Sequence, residues 1–231
     1  MTQDDELQQC RELLGRLSSE LTLAEERQRR VLAEQLHDHV GQALALLRRK
    51  LLALRDRAMF SGLEKDLDEL VDLSTRTVQS IRSLTFDLSP PALYELGLAP
   101  ALDWLAERHD GQEGVRVDFQ DRSKGVVVEP ERRVLLFISV RELLLNSLKH
   151  GSPKRVQLEL WRTAHALHAQ VRDDGCGFDP TAADVRQRPT GFGLFSIRQR
   201  LQGLGGALEL ESTPGQGTRA VVWIPHHEEP R

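Results

Sequence analysis

The 231 residues carry a formal net charge of −4. With a pI near 6.1, that charge argues against a nucleic-acid binder, which would show a basic face; the length allows one or two domains with a real core. Cys10 and Cys176 lie far apart with no zinc-ligand spacing, no apolar run approaches the ~18 residues of a membrane span, and no secretory leader opens the chain, so reduced thiols in a cytoplasmic protein are expected.

From Asp4 to about Arg57 there is no proline, and only Gly15 and Gly41 interrupt the run. Leu7, Cys10, Leu14, Leu17, Leu21, Ala24 and Val31 fall in alternating steps of three and four, with Gln28 in one slot. That is a heptad seam, and it predicts a coiled-coil signalling helix over residues 1–33. Near Val31 the seam shifts by one, to Leu32, Leu36, Val40, Ala43, Leu47, Leu51 and Leu54. A phase change of this kind locally alters supercoiling. It leaves His37 at the border of the new apolar stripe, with Asp38 and Gln42 farther round in solvent.

Ser61-Gly62 reads as a turn. A second helix carries Leu63, Leu67, Leu70, Ser74, Val78, Ile81, Leu84 and Leu88 at helical spacing. Residues 34–90 are therefore expected to form a helical hairpin, and two hairpins to pair as a dimeric four-helix bundle. Ser89-Pro90-Pro91 ends the second helix, and residues 91–99 read as a connector. Residues 100–226 then alternate in character. A short helix covers Pro100 to Arg108, a strand Val115 to Phe119, and a helix Glu129 or Pro130 to His150. Strands cover Arg155 to Arg162 and Ala166 to Asp173, a helix Gly193 to Leu204, and strands Ala207 to Ser212 and Thr218 to Ile224. This predicts an α+β sandwich, followed by a frayed tail over 227–231. His226-His227 could hold a metal, but tail residues are the plainer reading.

Three patches of this second domain carry chemistry. Glu142, Asn146 and Lys149 are spaced to share a helix face. A carboxylate, an amide oxygen and an ammonium suit a hydrated magnesium ion and phosphate oxygens. Asp173-Asp174-Gly175-Cys176-Gly177-Phe178 runs from a strand into two glycines. Glycine permits tight turns and close approach of a flat ligand, and a carboxylate there can accept from an exocyclic amine such as that of adenine. Gly191-Phe192-Gly193-Leu194 opens a helix, whose first backbone amides suit an anion. A Gly-Gln-Gly-Thr turn ending at Thr218 closes the set.

Taken together these residues resemble the ATP-binding (Bergerat, or GHKL) domain shared by histidine kinases, type II topoisomerases, Hsp90 and MutL. The Glu142 to Lys149 segment resembles its asparagine box. Asp174, Gly175 and Gly177 resemble one glycine box, and Gly191 with Gly193 the other. Glu26-Arg27 followed by His37-Asp38-x-x-Gly41-Gln42, and the Ser-Pro-Pro-x-Leu segment, resemble the dimerisation and phosphoacceptor helices of NarX/DesK-type sensor histidine kinases. The resemblance implies an ATP- and Mg2+-dependent protein histidine kinase that forms homodimers. His37 is then the phosphoacceptor, Asp38 the acid/base that holds its other ring nitrogen, and Gln42 the residue that orients water for dephosphorylating the regulator. Asp174 would fix adenine, with Gly175, Gly177, Gly191, Gly193, Leu194 and Thr218 around the nucleotide. Asn146 would ligate magnesium with Glu142 supporting through water, and Lys149 would lie near the phosphates. The implied partner is the receiver domain of a LuxR/NarL-type response regulator. Two other readings stay open: an ATP-modulated phosphatase with little autokinase activity, and a non-signalling ATPase clamp. Asp179 to Thr190 reads as a short lid.

Overall fold

The structure is a computed structural model that describes residues 3–57, 64–126, 128–180 and 189–226. The expected Ser61-Gly62 turn, most of the lid and the tail from His227 lie outside the described residues. The chain divides into two compact units: residues 24–91, and residues 1–23 together with 92–231.

The first unit is helical. α1 (Gln3–Gln35) enters it at Ala24 and passes into a π-helical turn over Leu36–Gly41. α2 (Gln42–Arg57) and α3 (Glu64–Leu88) pack against each other as the expected hairpin, with Arg55 to Asp68 at 3.6 Å between them. No break of the α-helix falls at Val31, where the phase change was expected; the helix stays α-helical to Gln35, and there the π-turn follows. Its i→i+5 pattern, seen in the Gln42 N–H donating to the His37 carbonyl, adds a residue to the helix and rotates everything downstream. At the far end, the Ser89 hydroxyl donates to Glu26 Oε1 at 3.1 Å, and both residues are 2% exposed. This buried bond ties α1 to the end of α3. Leu32, Val40, Leu47, Leu54, Leu70 and Leu84, all on the expected seams, are exposed in the single chain.

The second unit is a five-stranded sheet with helices on one face. In chain order its elements are α4 (Pro91–Glu95), α5 (Leu98–His109), β1 (Arg116–Arg122) and α6 (Pro130–Asn146). A second π-turn (Ser147–Gly151) leads to β2 (Arg155–Arg162), β3 (Ala166–Asp173), α7 (Pro189–Gly203), β4 (Ala207–Ser212) and β5 (Thr218–Pro225). The strand order is β1-β2-β3-β5-β4, with β1 parallel to β2 and the other pairs antiparallel. Within the expected connector, residues 91–99, Pro91–Glu95 form α4 and α5 begins at Leu98; Leu93 at 0% exposure and Leu98 at 6% are drawn into the core. α7 begins at Pro189, four residues before the expected start, since proline suits a first helical turn. Just beyond β5, the His226 backbone N–H donates to the His165 carbonyl at 3.1 Å.

Strand periodicity sets the core. Val156, Leu158 and Leu160 of β2, Leu167, Ala169 and Val171 of β3, and Ala220, Val222 and Ile224 of β5 all bury on the helix side. They face α6, whose run from Val134 to Val140 is buried throughout, as befits a helix apolar all round. On the opposite face Trp161 stacks on His168 at 5.0 Å and 9°. Burial there is the main cause that lowers the His168 pKa.

Candidate nucleotide site and phosphoacceptor

The site grows from the period of β3. Side chains alternate across a strand, so the residue that continues Leu167, Ala169 and Val171 on the helix face is Asp173. It pairs with Val156 on one side and Thr218 on the other, and it is 8% exposed. Its Oδ1 accepts the Gly175 N–H at 2.9 Å and the Thr218 N–H at 3.2 Å. Both bonds fall on one oxygen, which leaves Oδ2 for whatever fills the space in front of it. That space is a cavity of about 310 Å³ lined by residues that include Asn146, Ser147, Asp173, Gly177, Leu194 and Thr218.

Asp174, expected as the key carboxylate, does not line the cavity. It follows the strand, sits exposed, and accepts the Lys154 and Arg155 N–H groups at 2.8 and 2.9 Å. The Arg155 N–H is the main reason its pKa lies below the usual carboxylate value. A depressed carboxylate pKa contributes stability above the unfolded value, near pH 4, and loses it as pH falls through the folded one. Solvent screening keeps the contribution of so exposed a group small. Acid titration of Asp174→Asn alongside the parent chain is accordingly expected to shift the unfolding midpoint only slightly.

The glycines serve the protein's own packing. A Cβ on Gly175 would collide with the Gly151 carbonyl, and one on Gly177 with the Thr213 carbonyl. Gly177 also has φ +57, a left-handed conformation that disfavours a side chain. Gly177→Ala is expected to cost about 2 kcal/mol or more from the conformation and the collision together. A thermal melt of the purified variant checks this. The Cys176 N–H donates to the Gly151 carbonyl at 2.8 Å, and the Gly215 N–H donates to the Cys176 carbonyl at 2.6 Å. The loop is therefore pinned on both sides and gives the cavity a fixed rim.

On α6 the expected shared face is only partly present. Asn146 lines the cavity, but the helix switches to its π-turn at Ser147. The α-helical spacing on which the Lys149 expectation rested stops there. Lys149 is exposed and outside the cavity lining. Glu142 is engaged elsewhere: its Oε2 accepts from Arg200 Nη2 at 2.6 Å. Its Oε1 lies beside Gly193, where a Cβ would strike it and would come within 3.5 Å of Asn146 Nδ2. The Asn146 amide nitrogen and the Ser147 hydroxyl are buried with no hydrogen-bond partner among the described residues. The unpartnered Asn146 amide nitrogen is a donor and fits an acceptor such as a phosphate oxygen, whereas the amide oxygen of the same side chain, with the Glu142 carboxylate, is the kind of oxygen ligand that suits a hard, hydrated cation such as magnesium. Gly191 lies in the first turn of α7.

His37 lies in the π-turn of the helical unit and is exposed. A Cβ added at Gly41 would sit 3.9 Å from its Nδ1, an ordinary contact distance. Asp38 was expected to hold the His37 ring. Its carboxylate instead accepts from Gln42 Nε2 at 3.4 Å, because neighbouring helical residues point about 100° apart while i and i+4 meet. The His39 ring is within 3.1 Å of the Gln35 carbonyl.

Comparisons with known proteins agree with this geometry. Residues 26–93 match the "Histidine kinase" family, and residues 131–228 match the "Histidine kinase-, DNA gyrase B-, and HSP90-like ATPase" family. An uncharacterised sensor-like histidine kinase of Chloroflexus aurantiacus is 32% identical over 87% of this chain and 35% of its own length. The signal transduction histidine-protein kinase/phosphatase DegS of Brevibacillus brevis is 29% identical over 87% of this chain and 52% of its own. The chain thus spans about a third to a half of these relatives. Among solved structures, the histidine kinase domain of the Erythrobacter litoralis EL346 blue-light activated histidine kinase shares the fold, with a TM-score of 0.51, 23% identity and coverage of 80% and 94% of the two chains. Among the described residues no helix is long and apolar enough to cross a membrane. With a phosphoacceptor-type hairpin followed by a GHKL-type ATPase domain, the chain belongs to the histidine kinases of the NarX/DesK type.

Proposed function

We propose that this chain binds ATP in the Asp173 cavity and autophosphorylates on His37. The observation that carries the proposal is an exposed histidine in a π-turn, in a chain whose other unit holds a pinned, carboxylate-floored cavity. π-turns recur at functional sites because they turn a side chain out of helical phase. A neutral imidazole nitrogen of His37 attacks the γ-phosphorus. The bond from that phosphorus to the β,γ-bridging oxygen breaks, ADP leaves, and the displaced ring proton passes to water or a carboxylate. Positioning and charge neutralisation supply most of the rate in such transfers. Asp173 Oδ2 would accept from the adenine amine, Leu194 and Thr218 would border the base, and Asn146 would ligate Mg2+ through its amide oxygen, with Glu142 reaching the ion through water. Magnesium, when bound, screens the phosphate charge.

The phosphoryl group would then pass to an aspartate of a LuxR/NarL-type response-regulator receiver domain. The exposed leucine seams support a homodimer, since apolar positions at this spacing bury against a second copy. A second activity, dephosphorylation of the regulator, is favoured by the Gln42 amide held against Asp38, where both can orient a water. The experiment incubates the chain with γ-labelled ATP and Mg2+. Label that is acid-labile and base-stable is expected; an unlabelled chain that still binds ATP and strips phosphate from a regulator would favour the phosphatase reading.

A further inference from the structure

We infer that Arg200 is a positioning residue for the nucleotide site: it fixes one oxygen of Glu142 so that the other faces the ground beside Asn146. The inference rests on the proposed ATP reading. Arg200 lies near the end of α7, away from the cavity lining, and its side chain is 4% exposed. A guanidinium buried to that degree is tolerated only when paired and hydrogen-bonded. Arg200 meets both conditions, with Nη2 on Glu142 Oε2 at 2.6 Å and Nε donating to the Ser196 carbonyl at 3.2 Å. The second bond anchors the guanidinium to its own helix, so the direction from which it holds Glu142 is set by α7.

Two consequences follow for Glu142, whose side chain is 31% exposed. The first is orientation. With Oε2 held, Oε1 is left at the first turns of α7, against Gly193 and close to the Asn146 amide. A carboxylate on a flexible stem would otherwise spread over several rotamers and turn toward water. The second is charge. A bare carboxylate beside a triphosphate is repulsive. The paired guanidinium offsets that repulsion, so Glu142 can act on magnesium-bound water without driving off the nucleotide. Arg200 also couples α6 to α7, so that Glu142 and Asn146 keep their spacing to Gly193.

The test reads ADP affinity with and without Mg2+, by calorimetry or a fluorescent analogue, on the full chain. In the parent chain Mg2+ is expected to tighten ADP. In Arg200→Met that enhancement is expected to fall at least fivefold, and Mg2+-free ADP is expected to weaken as well, because the unpaired Glu142 carboxylate then repels the phosphates. Arg200→Lys, which keeps the charge but not the fork, is expected to recover part of it. Glu142→Gln is expected to lose the enhancement as Arg200→Met does, and the double variant to lose no more than either alone. The double variant removes both charges of the pair, so it carries the test if Arg200→Met alone does not fold. A parent chain that binds no ADP would sink the ATP reading itself. Magnesium enhancement that persists in the folded double variant, or losses that simply add, would overturn the positioning role while leaving ATP binding intact.

Discussion

His37→Gln is expected to leave the chain without acid-labile label, a loss of at least a thousandfold, while ATP affinity stays within about twofold. The reasoning is local. His37 is exposed, so its replacement costs little stability; surface substitutions usually lie within ±0.5 kcal/mol. Glutamine keeps a similar reach and helix propensity but has no nucleophilic ring nitrogen, so no step can put phosphorus on it. The informative control is His39→Gln. His39 lies two positions along the same π-turn, with its ring against the Gln35 carbonyl. Label is expected to survive that change. Phosphoamino-acid analysis and filter-bound label after alkaline washing measure both variants. Label retained in His37→Gln and lost in His39→Gln would move the acceptor by two residues and undo the proposal.

Much of this arrangement was legible in the sequence. The strands at Arg155–Arg162, Ala166–Asp173 and Ala207–Ser212 fall at their expected limits because alternation of large apolar residues leaves little freedom of register. The helices of the first unit and the segment holding His37 were likewise readable, since heptad spacing and proline-glycine punctuation are local signals. What escaped is non-local or non-α-helical. The second π-turn falls where a strict 3.6-residue wheel was assumed and displaced the Lys149 face, while the Asp38–His37 pairing gave way to the i,i+4 contact of Asp38 with Gln42. The Glu142–Arg200 bond joins residues 58 apart in sequence, beyond any periodicity. The orphaned Ser147 hydroxyl follows Asn146 directly but carries no pattern of its own. Asp173 was within reach: its parity matches Val171 and Ala169, and only attention to the strand's period, rather than to the glycine that follows, separates it from Asp174.

That distinction supplies the second large effect. Asp173→Asn is expected to weaken ATP roughly 10- to 150-fold, and Asp174→Asn by less than twofold. Asparagine at 173 can still offer an oxygen to the Gly175 and Thr218 N–H groups, which both bind Oδ1 in the parent chain, so the loop keeps its anchor. With the oxygen committed to them, the amide nitrogen takes the place of Oδ2. An acceptor facing the adenine amine becomes a donor facing a donor. Losing a charge-assisted bond of this kind costs about 1.5–3 kcal/mol, and each 1.4 kcal/mol is about tenfold in affinity. A base that lacks the 6-amino group gives the sharper check: the parent chain should discriminate against GTP, which has a carbonyl at that position, and Asp173→Asn should do so less. At 174 the same substitution keeps an acceptor for the Lys154 and Arg155 N–H groups on an exposed residue outside the cavity. Equilibrium titration with a fluorescent ATP analogue separates the two. Equal weakening in both variants would mean that the loop as a whole, and not the Asp173 oxygen, recognises the base.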